Sequence, residues 1–228
     1  MDQTNGFAIS GDINATLTGI KPADPVMAQA IGDQVSFAGT LARQGGTGLK
    51  ITDMTLRGHD YRASGDALID GLDSGLKVTT DLYLDAADLA RFSGLAGHPL
   101  EGAVNARITG HAAPLSGTFD LDLAVQAQDL SANLAQLDPL LAGVTTLDLK
   151  AARDTTGLRV DHFNLSNPTF SAQAQGQLDS ATGSLNLTAR LNDISPLVPQ
   201  TSGPLNLSAD VSRDGPTLTG KVQLLGPN

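Results

Sequence analysis

Apolar and polar residues alternate one by one through most of this chain. In Leu205-Asn-Leu-Ser-Ala-Asp-Val211, Leu205, Leu207, Ala209 and Val211 fall on one side and Asn206, Ser208 and Asp210 on the other. Leu121, Leu123, Val125 and Ala127 stand in the same way against Asp120, Asp122 and Gln126. A period of two with one apolar side marks strands of an antiparallel sheet that has a dry face and a wet face. Turn formers recur at close spacing, at Gly45-Gly46, Gly71, Asp73-Ser-Gly75, Asp154-Thr-Thr-Gly157, Ala181-Thr-Gly183 and Asp214-Gly215-Pro216, and predict hairpins between successive strands.

Four segments break the alternation and read as short helices, starting near residues 23, 86, 131 and 194. Ala86 to Leu95 carries Leu89 and Phe92 at helical spacing, with Asp85 or Asp88 available as a cap. Pro139 and Pro196 hold their copies to one or two turns. The predicted order is two strands, helix, four strands, helix, two strands, helix, four strands, helix, two strands.

The chain also repeats itself. Gly48-Leu-Lys-Ile-Thr-Asp-Met-Thr-Leu56 returns 109 residues on as Gly157-Leu-Arg-Val-Asp-His-Phe-Asn-Leu165, and Leu76-Lys-Val-Thr-Thr-Asp-Leu82 returns at the same offset as Leu185-Asn-Leu-Thr-Ala-Arg-Leu191. Repeated supersecondary units build extended objects by stacking. The reading is one continuous repetitive β-domain over residues 1–228, with copies near 23–130 and 131–228, cut from a longer protein. Within the copies the alternation slips by one residue at Ile51-x-x-Met54 and again at Val160-x-x-Phe163. An extra residue of this kind is the mark of a β-bulge, which bends the sheet; a tight turn at the same place is the alternative.

The dry face is the feature with functional content. At the 33 alternate positions of eight strands starting at Val35, Leu76, Leu100, Leu121, Leu147, Leu185, Leu205 and Leu218 no residue is charged, where a composition of 17% charged residues would put five or six. The candidate lining is Val35 and Phe37; Leu49 and Ile51; Leu76, Val78, Leu82 and Leu84; Val104 and Ile108; Leu121, Leu123 and Val125; Leu147 and Leu149; Leu158 and Val160; Leu185, Leu187 and Leu191; Leu205, Leu207 and Val211; and Val222 and Leu224. The same pattern suits a core closed by a second sheet and a groove filled by a greasy ligand.

Composition narrows the partners. A net charge of −10 without any Lys/Arg cluster disfavours nucleic acid and charge-driven docking on an anionic membrane. There are no cysteines for disulfides or thiolate metal sites. No apolar run reaches the ~18–20 residues of a membrane-spanning helix, and the first residues show no signal-peptide pattern. Catalytic signals are weak. His59, His98, His111 and His162 show no metal-ligand spacing, and Gly45-Gly-Thr-Gly48 is similar to a calcium-binding repeat but has Lys50 where that motif wants Asp. Ser93 and Ser116 precede glycines outside any G-x-S-x-G elbow. The chain reads as a non-enzyme, with no cofactor.

Alternating Leu strands, Gly-rich turns and recurrent Asp-Leu/Ile-x-x-Leu crossings together resemble the TamB/AsmA-like group of bridge-like lipid-transfer proteins. The likeness is carried by Ala87-Asp-Leu-Ala-Arg-Phe-Ser-Gly-Leu95 followed by Leu100-Glu-Gly102, by Asn192-Asp-Ile-Ser-Pro-Leu-Val198 followed by Gly203-Pro-Leu205, and by Phe119-Asp-Leu-Asp-Leu123 leading into Asp129-Leu-Ser-Ala-Asn-Leu134. It covers essentially the whole chain and rests on pattern. The resemblance implies a long, curved, groove-like β-sheet of the β-taco kind, in the periplasmic portion of a protein anchored in the bacterial inner membrane. It implies conduction of phospholipid towards the outer membrane and support of outer-membrane protein and autotransporter assembly. The partners it implies are phospholipid acyl chains, adjacent repeats of the same chain, and an outer-membrane barrel reached through regions outside this segment. The competing reading is a structural or adhesive β-repeat of a secreted or cell-surface protein.

Overall fold

The computed structural model describes residues 9–43, 48–71, 75–134, 138–198 and 200–226. They form one 13-stranded antiparallel sheet in which every strand pairs with its sequence neighbours, and β1 does not close onto β13. The order is β1 (Ile9–Thr18), α1 (Pro25–Ile31), β2 (Gln34–Arg43), β3 (Leu49–Arg57), β4 (Tyr61–Asp70), β5 (Lys77–Ala86), a 3₁₀ turn (Leu89–Phe92) running into α2 (Ser93–Ala96), β6 (Glu101–Ala113), β7 (Thr118–Ser131), α3 (Asp138–Leu141), β8 (Val144–Arg153), β9 (Gly157–Ser166), β10 (Phe170–Asp179), β11 (Thr182–Leu191), β12 (Leu205–Asp214) and β13 (Thr217–Leu225). The expected groups of four, two, four and two strands are all present. Of the first expected pair, only β1 falls among the described residues.

Two expectations about the crossings are corrected. The third helix does not start at Ser131: β7 continues to that residue, and the described helical turn is 138–141. The Asp138 carboxylate explains the shift, since it accepts from the Ala132 backbone N–H at 2.9 Å and from the Ser131 hydroxyl at 3.0 Å, tying the strand end to the helix start. The fourth crossing, at Ile194, is a hydrogen-bonded turn. Asp193 accepts from the backbone N–H groups of Ser195 and Gly203 at 3.1 and 3.0 Å, and Val198 N–H closes on the Ile194 carbonyl at 3.0 Å.

Both slips in the alternation are β-bulges. The register shifts between Ile51 and Met54 against β4, and at Lys150/Ala151 where β9 carries one extra residue. Asp53, the first of these extra residues, has φ 53°. Next to the first bulge, Met54 faces Gly65, whose φ is 135° and where a Cβ would run into the Asp81 carbonyl oxygen of β5. Only glycine allows that approach. Bulge and glycine together bend the sheet in mid-strand. Across the strands the sheet bends too: residues of β10 and β12 come within 8 Å over β11, where a flat sheet would hold them about 9.5 Å apart.

All the crossings lie at one edge of the sheet, because each joins strands whose ends meet there. The β2–β3, β4–β5, β6–β7, β8–β9, β10–β11 and β12–β13 connections lie at the other. At the crossing edge, Asp24 caps α1 by accepting from Val26 N–H at 2.8 Å. The Arg91 guanidinium then clasps Asp60 and donates to the Gln29 carbonyl at 3.0 Å. Tyr61 completes the knot, donating its hydroxyl to the Ile31 carbonyl at 3.0 Å and packing edge-on against Phe92 with ring centroids 5.9 Å apart. In the second half Asn167 donates to the Thr145 hydroxyl at 2.6 Å and Thr169 to the Leu140 carbonyl at 2.5 Å, which fixes α3.

Candidate functional site

The ladder register puts the predicted lining on one face. Directly paired residues project to the same side of a sheet, so the pairings can be followed across it. One row runs Ile13, Gly39, Met54, Gly65, Leu82, Ile108, Leu123, Leu149, Phe163, Ala174, Leu187, Ala209 and Val222. It crosses all thirteen strands without a polar side chain. Towards the crossing edge the next row contains Phe37, Leu84, Val125, Leu147, Leu207 and Leu224. Beyond it, Val35, Val104, Leu191 and Leu205 lie nearest the crossings. Towards the hairpin edge come Ile51, Leu121, Val160, Leu185 and Val211, then Leu49, Val78 and Leu158. Leu76 lies just before β5. Met54, Leu56, Phe119, Phe163 and Leu165 belong to the same face and were missing from the predicted lining. The four on β3 and β9 fall behind a slip that breaks a fixed alternation count.

Among the described residues no second layer covers this face. On the inner strands its residues are half-buried by one another, on the outermost strands Ile13, Val222 and Leu224 are exposed, and most wet-face neighbours on β5 and β11 are exposed. The fully sheltered apolar residues are small or lie at the crossings (Ala30, Ala86, Ala106, Ala127, Leu140, Ala151), and among the described residues no large side chain is completely buried. The total accessible surface is 14214 Å² for 23.4 kDa, whereas a compact monomer of that mass exposes about 9,700 Å². The closed-sandwich alternative is therefore excluded: the sheet is open. With 13 strands, its twelve steps of about 4.8 Å make an apolar strip on the order of 58 Å long, measured along the sheet.

The expectation of a wholly uncharged inward side needs one correction. Three strands run one inward position further than the last apolar residue, and in each that position is arginine: Leu41-Ala-Arg43 on β2, Ala151-Ala-Arg153 on β8 and Val211-Ser-Arg213 on β12. Each is the strand that follows a crossing, and all three arginines lie at the hairpin edge. The alternation misses them because it stops at the last apolar residue, while the ladder continues to the hairpin. The thrice-repeated arginine at the strand end was the available signal.

The acidic residues of the ladder sit on the opposite face, three of them in cross-strand pairs. Arg107 holds Asp81 in a two-point contact at 3.0 and 3.1 Å, Lys150 lies 3.8 Å from Asp122, and His162 is 2.5 Å from Asp148. An open depression of about 390 Å³ between Ser171, Gln173, Thr188, Arg190 and Asn206 is also on the wet face, and nothing in it converges on a reacting atom. Among the described residues no three His, Asp or Glu side chains are placed to share a metal ion. The chain matches no family model, no curated protein and no solved structure. The geometry of the surface itself therefore carries the functional reading.

Proposed function

We propose that this chain is a segment of a lipid conduit: its dry face takes phospholipid acyl chains and lets them pass from strand to strand along the sheet. The observation that carries the reading is the row of apolar residues across thirteen strands with no second layer over it among the described residues. An apolar strip of that length left to water would be unfavourable by about 25 cal/mol for each Å², and exposed patches above a few hundred Å² mark binding surfaces. Acyl chains suit it better than a folded partner. The strip is continuous, presents no hydrogen-bonding group in its middle row, and has no unique anchor that would fix one partner in one place. In this reading the segment belongs to the periplasmic portion of an inner-membrane-anchored protein that carries phospholipid towards the outer membrane and supports assembly of proteins there.

Organic extraction of the purified chain followed by mass spectrometry tests the reading. Phospholipid recovered in amounts that scale with protein, and lost when the dry face is made charged, supports it. A lipid-free preparation that also takes up none from phospholipid vesicles refutes it, and leaves the structural or adhesive repeat as the alternative.

A further inference from the structure

Resting on the conduit reading, we infer that Arg43, Arg153 and Arg213 form a headgroup rail, which selects phospholipids with net negative headgroups and sets their orientation. The acyl chains then lie across the dry face towards the crossings, with the phosphate held at the hairpin edge.

Charge sign and position point to this role. No Asp or Glu occupies an inward ladder position among the described residues, so the only charge on that side is positive and confined to one edge. Arg153 stands in the ladder between Phe119 and Leu158, both apolar, and its side chain makes no hydrogen bond or ion pair among the described residues. Its neighbour Asp154 is already engaged, accepting from Thr156 and Gly157 within its own turn. Arg213 stands opposite Gly183 and reaches along the edge to donate to the Ser180 carbonyl at 3.1 Å. Its Nε is buried without an acceptor. The guanidiniums of Arg153 and Arg213, beside apolar side chains and with donors to spare, suit a phosphate oxygen, which a guanidinium can grip at two points.

The dimensions agree. On β12 the apolar inward residues from Leu205 to Val211 span six residue rises, about 20 Å at ~3.3 Å per residue. One leaflet of hydrocarbon is about 15 Å deep, half of a ~30 Å bilayer core. An acyl chain hung from the rail therefore ends before the crossing elements. Successive arginines are four and six strands apart (β12 to β8, β8 to β2), or about 19 and 29 Å along the sheet, so they act as separate stations. Lipids held at them would all point the same way.

The test compares binding of three fluorescent diacyl lipids presented in detergent: phosphatidylglycerol, phosphatidylcholine and uncharged diacylglycerol. The native chain is expected to prefer phosphatidylglycerol to diacylglycerol by about tenfold, the scale of one charge-assisted contact. The triple variant R43Q/R153Q/R213Q should lose that preference and still bind diacylglycerol, and the matching Lys variant should retain part of it. Should the triple variant fail to fold, R153Q alone, at an exposed strand end, is expected to show a reduced preference. An unchanged preference in the folded Gln variant overturns the rail but leaves the conduit intact. Equal binding of all three lipids by the native chain does the same. If the native chain binds no diacyl lipid at all, the conduit reading fails and the rail fails with it.

Discussion

Leu123 on β7 and Leu149 on β8 face each other directly across a ladder pair in the middle of the sheet, and both remain only half-buried. In a sandwich such a pair would sit at the centre of the core. Here, among the described residues, no second layer lies over it, and that difference separates an open face from a packed interior.

A charge at such a position is therefore tolerated by the fold and harmful to binding. Leu123→Glu and Leu187→Arg should unfold at a urea midpoint equivalent to a loss of no more than about 1–2 kcal/mol, the range of an ordinary substitution. Both should lose co-purifying lipid, since an unpaired ion in an apolar strip costs several kcal/mol. Asn186→Arg, on the exposed wet face, should keep stability and lipid alike. Collapse of both inward variants would mean that the face is a closed core.

Much of this architecture was legible in the chain. Alternation from Leu205 to Val211 and from Leu121 to Ala127 specified β12 and β7, and the repeated slip at Met54 and Phe163 marked two places where a bulge or a tight turn could sit, both of which are bulges. What alternation does not encode is the far side of the face. Leu123 has the same neighbours in sequence whether a second sheet covers it or not, so openness became visible only from the pairing order. The arginine edge was hidden for another reason, because Arg153 and Arg213 follow the last apolar residue and read as turn residues until the ladder is drawn. The helix expected near Ser131 failed because the bulge at Asp129, with φ 50°, lets β7 continue to Ser131.

The mid-strand bend depends on glycine. Gly65→Val places a branched side chain at φ 135°, against the Asp81 carbonyl oxygen, and should destabilise by about 2–3 kcal/mol. Chemical denaturation measures this directly. Gly220→Val, where a Cβ meets open space, should change stability little.

The clasp at the crossing edge gives a pH dependence. The hydrogen bond from Arg91 holds the Asp60 carboxyl below the ordinary aspartate value, outweighing the opposing effect of burial. A group depressed in the folded state contributes stability that is fully present above its unfolded value, near 3.9, and is lost as pH falls through the folded value. Thermal unfolding between neutral pH and about pH 3 should therefore show a smaller acid-induced drop in Asp60→Asn than in the native chain, from a lower neutral-pH starting point. An identical acid slope in the two proteins would show that the pair contributes nothing.

Open edges should make the chain self-associate. Among the described residues nothing pairs with the outer side of β1 or β13, and Ile9 and Leu225 are each 67% exposed. Unpaired strand edges template pairing with another chain. Sedimentation velocity should show association that grows with concentration, and Ile9→Lys combined with Leu225→Lys should suppress it. A native chain that stays monomeric at high concentration would mean that both edges are protected.

Whether acyl chains lie on the dry face can be tested with a single fluorophore, because the chain has no tryptophan of its own. Leu187→Trp places the indole in the middle of the apolar row, and Asn186→Trp places it one residue away on the wet face. Titration with a phospholipid brominated along its acyl chains should quench the Leu187→Trp variant strongly and leave the Asn186→Trp variant nearly unchanged. Equal quenching of the two variants, or none in either, would contradict the conduit reading.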